Sequence, residues 1–232
     1  MHVCLTIDFE QDCPPYLNGW RGASEGMPRL LDLLGREGVP TTVFSTGEAA
    51  ERFPAVVERV VTEGHELGSH GHTHANFPEL SDDRAEWEIA TSAEVLRSFG
   101  PVTSFRAPNL RFPVRYLPLL ERHGFTVDSS QGRYKPREWG RRPAVTSLRR
   151  LPASVTSSVL RAPRALRDPI LTALKTPVVL FVHPWEFVDL THENLRWDCR
   201  FKTGDPALDC VREVIRFYRD RDARFVRMGE LG

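Results

Sequence analysis

Four segments of the chain carry polar residues whose types and spacing could do chemistry, and the first is acidic. Asp8, Glu10 and Asp12 place three carboxylates within five residues, directly after the apolar run 3–7. If a strand continues here, Asp8 and Glu10 share one side, because strand side chains alternate with a period of two. Carboxylates held close together repel, and a proton or a cation relieves the repulsion. The segment predicts a catalytic or metal-binding site, with an acidic surface loop as the alternative.

The second segment is rich in histidine, with four histidines in the ten residues 65–74. His70 and His74 are four residues apart, so on a helical turn both imidazoles face one way and can bind one metal ion. Two imidazoles and one carboxylate form a three-ligand site with open positions, which suits zinc or a similar divalent ion. Chance histidines at a helix end are the alternative, and for His65 and His72 a purely structural role is favoured.

The third and fourth segments each place one basic residue at the end of a predicted strand. Arg106 follows 103–105 and can brace a carboxylate through two hydrogen bonds. His183 follows 178–182, the most apolar run in the chain, and is suited to be a general acid. Functional side chains of parallel α/β proteins cluster at the carboxyl ends of strands. We therefore expect the four segments to meet in one site.

The elements that must position these residues alternate between β-rich runs and helical patterns. Strands are predicted at 3–7, 41–44, 103–106, 125–127, 178–182 and 224–228, and helices at 26–37, 54–63, 81–99, 117–122 and 207–221. The alternation, with a strand apolar at every position, predicts a parallel sheet in one α/β domain spanning residues 1–232. Acidic residues replace a glycine-rich phosphate loop after the first strand, which favours a barrel over a nucleotide-binding fold.

Composition and charge exclude some classes of protein. The 232 residues include 31 basic and 31 acidic side chains, and this zero net charge argues against a general nucleic-acid binder. No run approaches the roughly 20 apolar residues of a membrane span, and no leader pattern opens the sequence, so we expect a cytoplasmic protein. The four cysteines are expected to be free thiols: Cys4, Cys13, Cys199 and Cys210.

One segment, 131–167, is strongly basic and is punctuated by prolines. It contains ten lysine and arginine residues against Glu138 alone. We interpret it as an insertion that leaves the barrel. It is either a solvated loop or a lid that meets an anionic group of the substrate or a membrane surface. The second interpretation assigns a binding role to Arg141, Arg142, Arg149 and Arg150.

Taken in order, the motifs resemble the polysaccharide deacetylase superfamily, also known as the NodB-homology domain or carbohydrate esterase family 4. They are Thr-x-Asp-Phe-Glu, His-x-x-x-His, Arg-Ala-Pro, Asp-Ser-Ser and His-Pro-Trp-Glu, and they run from Val3 to about His183. The resemblance implies an irregular (β/α) barrel with about seven parallel strands. It also implies a metal-dependent hydrolase that removes acyl groups from sugars.

The resemblance assigns a role to each matching residue. Asp8 corresponds to the catalytic base and Arg106 to its brace, while His183 corresponds to the general acid and Asp128 to the group that orients it. His70 and His74 correspond to metal ligands. The third ligand departs from the common pattern of two adjacent aspartates, because Phe9 stands in the second position. We therefore expect Glu10 to be the carboxylate ligand, with Asp12 in reserve.

The residues expected to contact substrate follow from the same resemblance. Asn109 stands where many members have a tyrosine, and its backbone N–H is expected to stabilise the oxyanion. Phe181 is expected to wall an acyl pocket, and Trp185 to line the substrate site.

The implied activity is removal of an N-acetyl or N-formyl group from an intracellular sugar, which is nucleotide-linked, lipid-linked or part of a small glycan. The segment 21–31 is reminiscent of a branch that deformylates a lipid-linked aminoarabinose. Zinc is the expected ion, with cobalt, nickel or manganese as alternatives. The rival hypotheses are a metal-independent amidohydrolase of the same fold and a non-catalytic sugar-binding protein.

Overall fold

A sheet of parallel strands forms the centre of the computed structural model, which describes residues 1–136 and 144–231. Its strands are β1 (His2–Phe9), β2 (Thr41–Ser45), β3 (Glu66–Ser69), β4 (Ser104–Phe105), β5 (Val127–Asp128), β6 (Arg149–Arg150), β7 (Val178–Val182) and β8 (Arg224–Phe225). Seven lie in the order β6-β5-β4-β3-β2-β1-β7, and β8 pairs with the start of β1. Beyond β6, the Ser154 amide donates to the Val179 carbonyl in β7 at 2.8 Å, which links the two edges. The predicted irregular (β/α) barrel is confirmed.

The helices surround this sheet. They are α1 (Met27–Glu37), α2 (Gly47–Arg52), α3 (Pro54–Thr62), α4 (Asp82–Arg97), α5 (Leu117–Arg122), α6 (Ser157–Leu160), α7 (Arg164–Ala173), α8 (Trp197–Arg200) and α9 (Asp205–Arg219). The Ser81 hydroxyl caps α4 by accepting a hydrogen bond from the Arg84 amide at 3.3 Å. Within the described ranges, no helix combines the length and apolar character needed to cross a membrane.

The first strand divides its side chains between two environments, as its period of two dictates. Alternate residues belong to the main apolar core with the helices: Val3, Leu5, Ile7 and Phe9. Cys4 belongs instead to a smaller apolar cluster with Val179, on the opposite face. The next residues on that face, Thr6 and Asp8, are polar and buried. The interior of the barrel therefore changes from apolar to polar toward the carboxyl end of β1.

One strand that positions the site, β3, was not among the predicted strands. It contains Glu66 and Gly68, which are unusual in a buried strand. A Cβ atom at residue 68 would lie 2.8 Å from the ring of Phe44, so any residue larger than glycine would clash with that ring. The close approach of this aromatic side chain explains the glycine, and it masks the strand in the sequence pattern.

The basic segment is more integrated than predicted. Residues 137–143, which include Arg141 and Arg142, lie outside the described residues, but the remainder supplies β6, α6 and the start of α7. Arg149 and Arg150 pair with β5 as a strand of the sheet. Leu148 and Leu151, on either side of them, are buried. An insertion that simply leaves the barrel is therefore the wrong description of residues 144–167.

Candidate active site

A cavity of about 380 Å³ opens where the carboxyl ends of the strands meet. Its lining includes residues from each of the four segments identified in the sequence: Asp8, Glu10, His70, His74, Asn109, Phe181, His183 and Trp185. The sequence therefore identified residues that the fold brings together. A larger groove of about 630 Å³ lies beside α1 and α3, on a different part of the described surface, and its lining shares no residue with this cavity.

Three potential metal ligands meet at the base of the cavity. Glu10, His70 and His74 offer ligand atoms that all lie within 4.8 Å of one another. One carboxylate oxygen of Glu10 is 3.2 Å from Nε2 of His70 and 2.6 Å from Nε2 of His74. Burial alone would raise the pKa of Glu10, but the surrounding imidazoles hold it well below its usual range. The cluster can therefore bind a single cation through one carboxylate and two imidazole ligands.

The backbone fixes the ring of His70. Its Nδ1–H donates to the Arg106 carbonyl at 2.7 Å, so Nε2, which faces Glu10, is the ring nitrogen that can bind a metal ion. Metal-binding histidines commonly use their second nitrogen in this way, and the bond sets both tautomer and orientation. A zinc-type site of two imidazoles and one carboxylate therefore fits the residues present.

The two histidines come together in a manner different from the predicted helical turn. His70 directly follows β3, whereas His74 lies in a loop and has a positive φ of 59°. The buried Glu88 of α4 holds this loop through three hydrogen bonds. Its carboxylate accepts from the His72 and Thr73 amides, both at 2.8 Å, and from the Thr73 hydroxyl at 2.6 Å. A carboxylate from a helix, rather than helical spacing, positions His74.

Asp8 and Arg106 form a buried ion pair through one hydrogen bond, rather than the two that the sequence analysis expected. Arg106 Nη1 donates to Asp8 Oδ1 at 2.6 Å and to the Thr6 hydroxyl at 2.7 Å, and its Nη2 donates to the Ser129 hydroxyl at 2.9 Å. The guanidinium carbon also lies 4.2 Å from the centre of the Phe44 ring. These contacts fix the orientation of the Asp8 carboxylate toward the cavity.

His183 is oriented by a different carboxylate from the one expected. Its Nδ1 is 2.7 Å from Glu186 Oε1, and the other Glu186 oxygen is 2.9 Å from Nε of Arg161, with all three side chains largely buried. The expected partner, Asp128, is bound by Arg150 at 2.8 Å instead. The interpretation of Asp128 as the group that orients His183 is therefore wrong, because Asp128 serves the pairing of β5 and β6.

The electrostatic environment favours the protonated form of His183. Burial alone would lower its pKa, but the hydrogen bond to Glu186 and the charges of Glu10 and Asp8 raise it to about 9. The imidazole is then protonated at neutral pH in the metal-free site. Its second nitrogen, Nε2, lies 3.9 Å from Glu10, on the side where the potential ligands meet.

Asp12, the reserve ligand, has a structural role. Its carboxylate accepts hydrogen bonds from the Arg21 amide at 2.8 Å and the Gly22 amide at 2.7 Å. Burial raises the pKa of Asp12 despite these bonds. The side chain orders the start of the helical segment that leads into α1, and it is absent from the Glu10 cluster.

The predicted substrate contacts line the cavity wall. Asn109 is exposed and has a left-handed backbone with φ of 58°. Phe181 is nearly buried, and Trp185 stacks on His183 with ring centres 4.8 Å apart and planes inclined by 18°. The indole Nε1 of Trp185 is buried and has no hydrogen-bond partner among the described residues. These positions give the cavity an apolar wall beside the polar base.

Sequence reasoning missed three residues that support the site: Glu88, Glu186 and Arg161. Glu186 carried a usable signal, because it lies three residues after His183 in the His-Pro-Trp-Glu motif. Glu88 stands among the apolar positions of α4, where a buried acid is exceptional unless it has partners. Arg161 belongs to the basic segment, and its sequence context does not distinguish it from its exposed neighbours.

The fold and the site together define a (β/α)-barrel protein with a carboxylate–histidine cluster at the carboxyl edge of its sheet. The family model described as "Polysaccharide deacetylase" matches residues 2–127, which is more than half of the chain. The chain belongs to the polysaccharide deacetylase family.

Two relatives from bacteria show the extent of the likeness. A peptidoglycan deacetylase of Helicobacter pylori is 32% identical over 123 residues, which cover 52% of this chain and 42% of the relative. A peptidoglycan-N-acetylglucosamine deacetylase of Bacillus cereus is 38% identical over 72 residues, covering 31% and 26%, respectively. The chain thus matches less than half the length of each of these relatives.

The solved structures agree with the fold. A family 4 carbohydrate esterase from Streptomyces lividans, in complex with acetate, superimposes on this chain with a TM-score of 0.65. The sequences are 16% identical, and the match covers 96% of this chain and 90% of the esterase. At this identity the comparison supports the shared architecture.

Proposed function

We propose that this protein is a metal-dependent hydrolase that removes an N-acyl group, acetyl or formyl, from a sugar. One observation carries the proposal: the Glu10, His70 and His74 donors lie within 4.8 Å of one another in the cavity that also contains Asp8 and His183. An ion site together with a base and an acid is an arrangement that can hydrolyse an amide.

The metal ligands in this proposal are Glu10, His70 and His74. Zinc is the ion that two imidazoles and one carboxylate suit best, and cobalt, nickel and manganese are alternatives. When bound, such an ion would polarise the amide carbonyl and make water a stronger nucleophile at neutral pH. The bond from His70 Nδ1 to the Arg106 backbone keeps the other nitrogen of the ring available for binding.

Asp8 acts as the general base. Its carboxylate accepts a proton from the water that attacks the carbonyl carbon. Arg106 holds Asp8 at 2.6 Å and is itself held by Thr6 and Ser129, so the base cannot rotate away from the attacking water. Such fixed geometry removes much of the entropic cost of bringing the reacting groups together.

His183 acts as the general acid. When the C–N bond breaks, the imidazolium transfers its proton to the departing nitrogen, which leaves as an amine. Glu186 orients the ring through Nδ1, and Arg161 holds Glu186 in turn. The raised pKa of His183, about 9, supports this role, because the ring carries a proton at neutral pH.

The remaining predicted residues shape the substrate site. We propose that the Asn109 backbone N–H donates to the developing oxyanion, a contribution of roughly 3–4 kcal/mol for a well-placed donor. Phe181 walls the acyl pocket. Trp185 offers its unpartnered indole N–H to the sugar or the acyl group.

The described arginines of the basic segment bear on how the sugar is carried. Three arginines of the basic segment are already paired with carboxylates: Arg150 with Asp128, Arg161 with Glu186, and Arg167 with Glu213. The proposal therefore does not depend on these arginines meeting a substrate phosphate. An intracellular nucleotide- or lipid-linked sugar and a small N-acetylated glycan remain the proposed substrates.

The direct test is release of acetate or formate from a panel of acylated sugars by the zinc-loaded protein. The panel contains N-acetyl and N-formyl sugar nucleotides, lipid-linked sugars and oligosaccharides. We expect release from at least one class, and loss of that activity in Asp8→Asn and His183→Ala. His192→Ala is the matched control, since His192 is exposed and lies outside the cavity lining. Equal activity in Asp8→Asn and wild type would overturn the assignment of the base.

A further inference from the structure

Two cysteines at the cavity have no role in the proposed hydrolysis. Cys13 lies in the loop that follows β1, and Cys199 lies in α8. Both side chains contribute to the lining of the cavity that contains Glu10 and His183. The fold thus brings together two thiols from opposite ends of the chain beside the candidate active site.

The two thiols contact each other and are free. Cys13 is 3% exposed, whereas Cys199 is partly exposed. A hydrogen bond from the Cys13 thiol is the main reason that the pKa of Cys199 falls to about 7, and Arg196 and Arg161 lower it further, although burial opposes the shift. Hydrogen bonding and burial raise the pKa of Cys13. The pair therefore combines an accessible, readily ionised thiol with a protected partner.

The same thiols connect to the catalytic residues through packing. Cys13 belongs to a small apolar cluster with Trp185, and Cys199 packs against that cluster. Trp185 in turn stacks on His183, with ring centres 4.8 Å apart. The other two cysteines, Cys4 and Cys210, are also buried but contribute nothing to the cavity lining.

We propose that Cys13 and Cys199 form a peroxide-sensitive thiol pair whose disulfide lowers turnover at the active site. The Cys199 thiolate attacks one oxygen of hydrogen peroxide, which gives a sulfenic acid and releases hydroxide. The Cys13 sulfur then attacks the Cys199 sulfur, the S–O bond breaks, and the oxygen takes the Cys13 thiol proton and leaves as water. Peroxide accepts the two electrons that the thiols lose, and a dithiol reductant restores both thiols.

The predicted effect on turnover follows from the geometry of the bond. A disulfide brings the two sulfurs to about 2.05 Å, closer than two hydrogen-bonded thiols, so the loop after β1 and α8 must move toward each other. The movement of Cys13 then changes the packing around Trp185, whose ring stacks on one face of His183. Because a misplacement of about 1 Å can cost about 100-fold in rate, we expect a reversible loss of about tenfold.

The first arm of the test needs no enzymatic activity. The 232-residue chain is treated with hydrogen peroxide, its free thiols are counted, and disulfide-linked peptides are mapped by mass spectrometry. We expect the four free thiols to fall to two, with a Cys13–Cys199 cross-link that dithiothreitol reverses. Cys210→Ser is the control and still forms the cross-link, whereas Cys199→Ser does not. Failure of the cross-link to form in the wild-type protein would overturn the proposal.

The second arm rests on the proposed function and measures turnover before and after oxidation. Each variant is compared with its own untreated form. We expect wild type and Cys210→Ser to lose activity and to regain it with dithiothreitol, and Cys199→Ser to resist. A cross-link that leaves turnover unchanged would contradict the inferred link to His183. Absence of activity in untreated wild type would instead contradict the proposed function.

Discussion

Removal of the Glu88 carboxylate should weaken metal binding, although this residue is not a proposed ligand. The side chain is fully buried in α4. It accepts the His72 and Thr73 amides and the Thr73 hydroxyl, and it pairs with Arg84 at 2.9 Å. Glu88→Ala leaves two loop amides without their acceptor and releases the loop that contains His74.

The magnitude follows from these contacts. Leaving a buried donor without its acceptor costs about 1–3 kcal/mol of stability, and two loop amides lose their acceptor here. Loss of a group that orients a metal ligand typically weakens metal affinity by about 10–100-fold. We expect Glu88→Ala to show both effects. Glu88→Gln should show a smaller loss of affinity, because its amide oxygen can still accept the two backbone N–H groups.

The assay is calorimetric titration of the metal-free protein with zinc, together with urea unfolding of the metal-free form. Glu94→Ala is the matched control, since Glu94 is exposed on the same helix. Titration at temperatures well below the unfolding transition separates a weakened site from a partly unfolded protein. Zinc affinity in folded Glu88→Ala equal to that of wild type would refute the reasoning that this carboxylate positions His74.

Other side chains give further tests. Arg106→Lys should lower kcat by about 100-fold, because an ammonium cannot hold Asp8 and Ser129 together as the planar guanidinium does. Glu186→Gln should slow hydrolysis of an N-acetyl sugar by about tenfold or more, yet slow an aryl acetate less, since a phenolate leaves without a proton; equal losses on both substrates would contradict the acid role of His183. Glu213 has its pKa lowered to about 2 by Arg164 and Arg167, so the stability that it contributes is present above its unfolded value of 4.5 and is lost as pH falls toward 2. Acid titration of unfolding free energy should therefore be steeper for wild type than for Glu213→Gln.

The sequence revealed most of the site because the chemistry lies at strand ends. Asp8, Arg106 and His183 each lie at or directly after the carboxyl end of a strand, and the carboxyl ends of parallel strands meet at one edge of the sheet. Helices with a clear apolar stripe were equally readable, such as α5, whose predicted bounds 117–122 match the structure. Local pattern and spacing are sufficient where a residue's position depends on its own element.

The features of the site that the sequence did not predict depend on contacts between distant segments of the chain. His74 owes its position to Glu88, and the identity of the residue that holds His183 depends on how Asp128 is used elsewhere. Arg150 reaches Asp128 because β6 pairs with β5, a pairing hidden in a segment of basic residues. Tertiary structure determines which partners these side chains bind, and no periodicity in the local sequence predicts those partners.

Metal binding by the purified 232-residue chain is the measurement that tests the central claim most directly. The metal-free protein is titrated with zinc, and the bound ion is quantified by elemental analysis in wild type, Glu10→Gln, His74→Ala and the His192→Ala control. We expect wild type and the control to bind one ion per chain, and the other two variants to lose it or bind it far more weakly. Absence of tight binding in wild type, or unchanged binding in Glu10→Gln and His74→Ala, would contradict the proposed metal site.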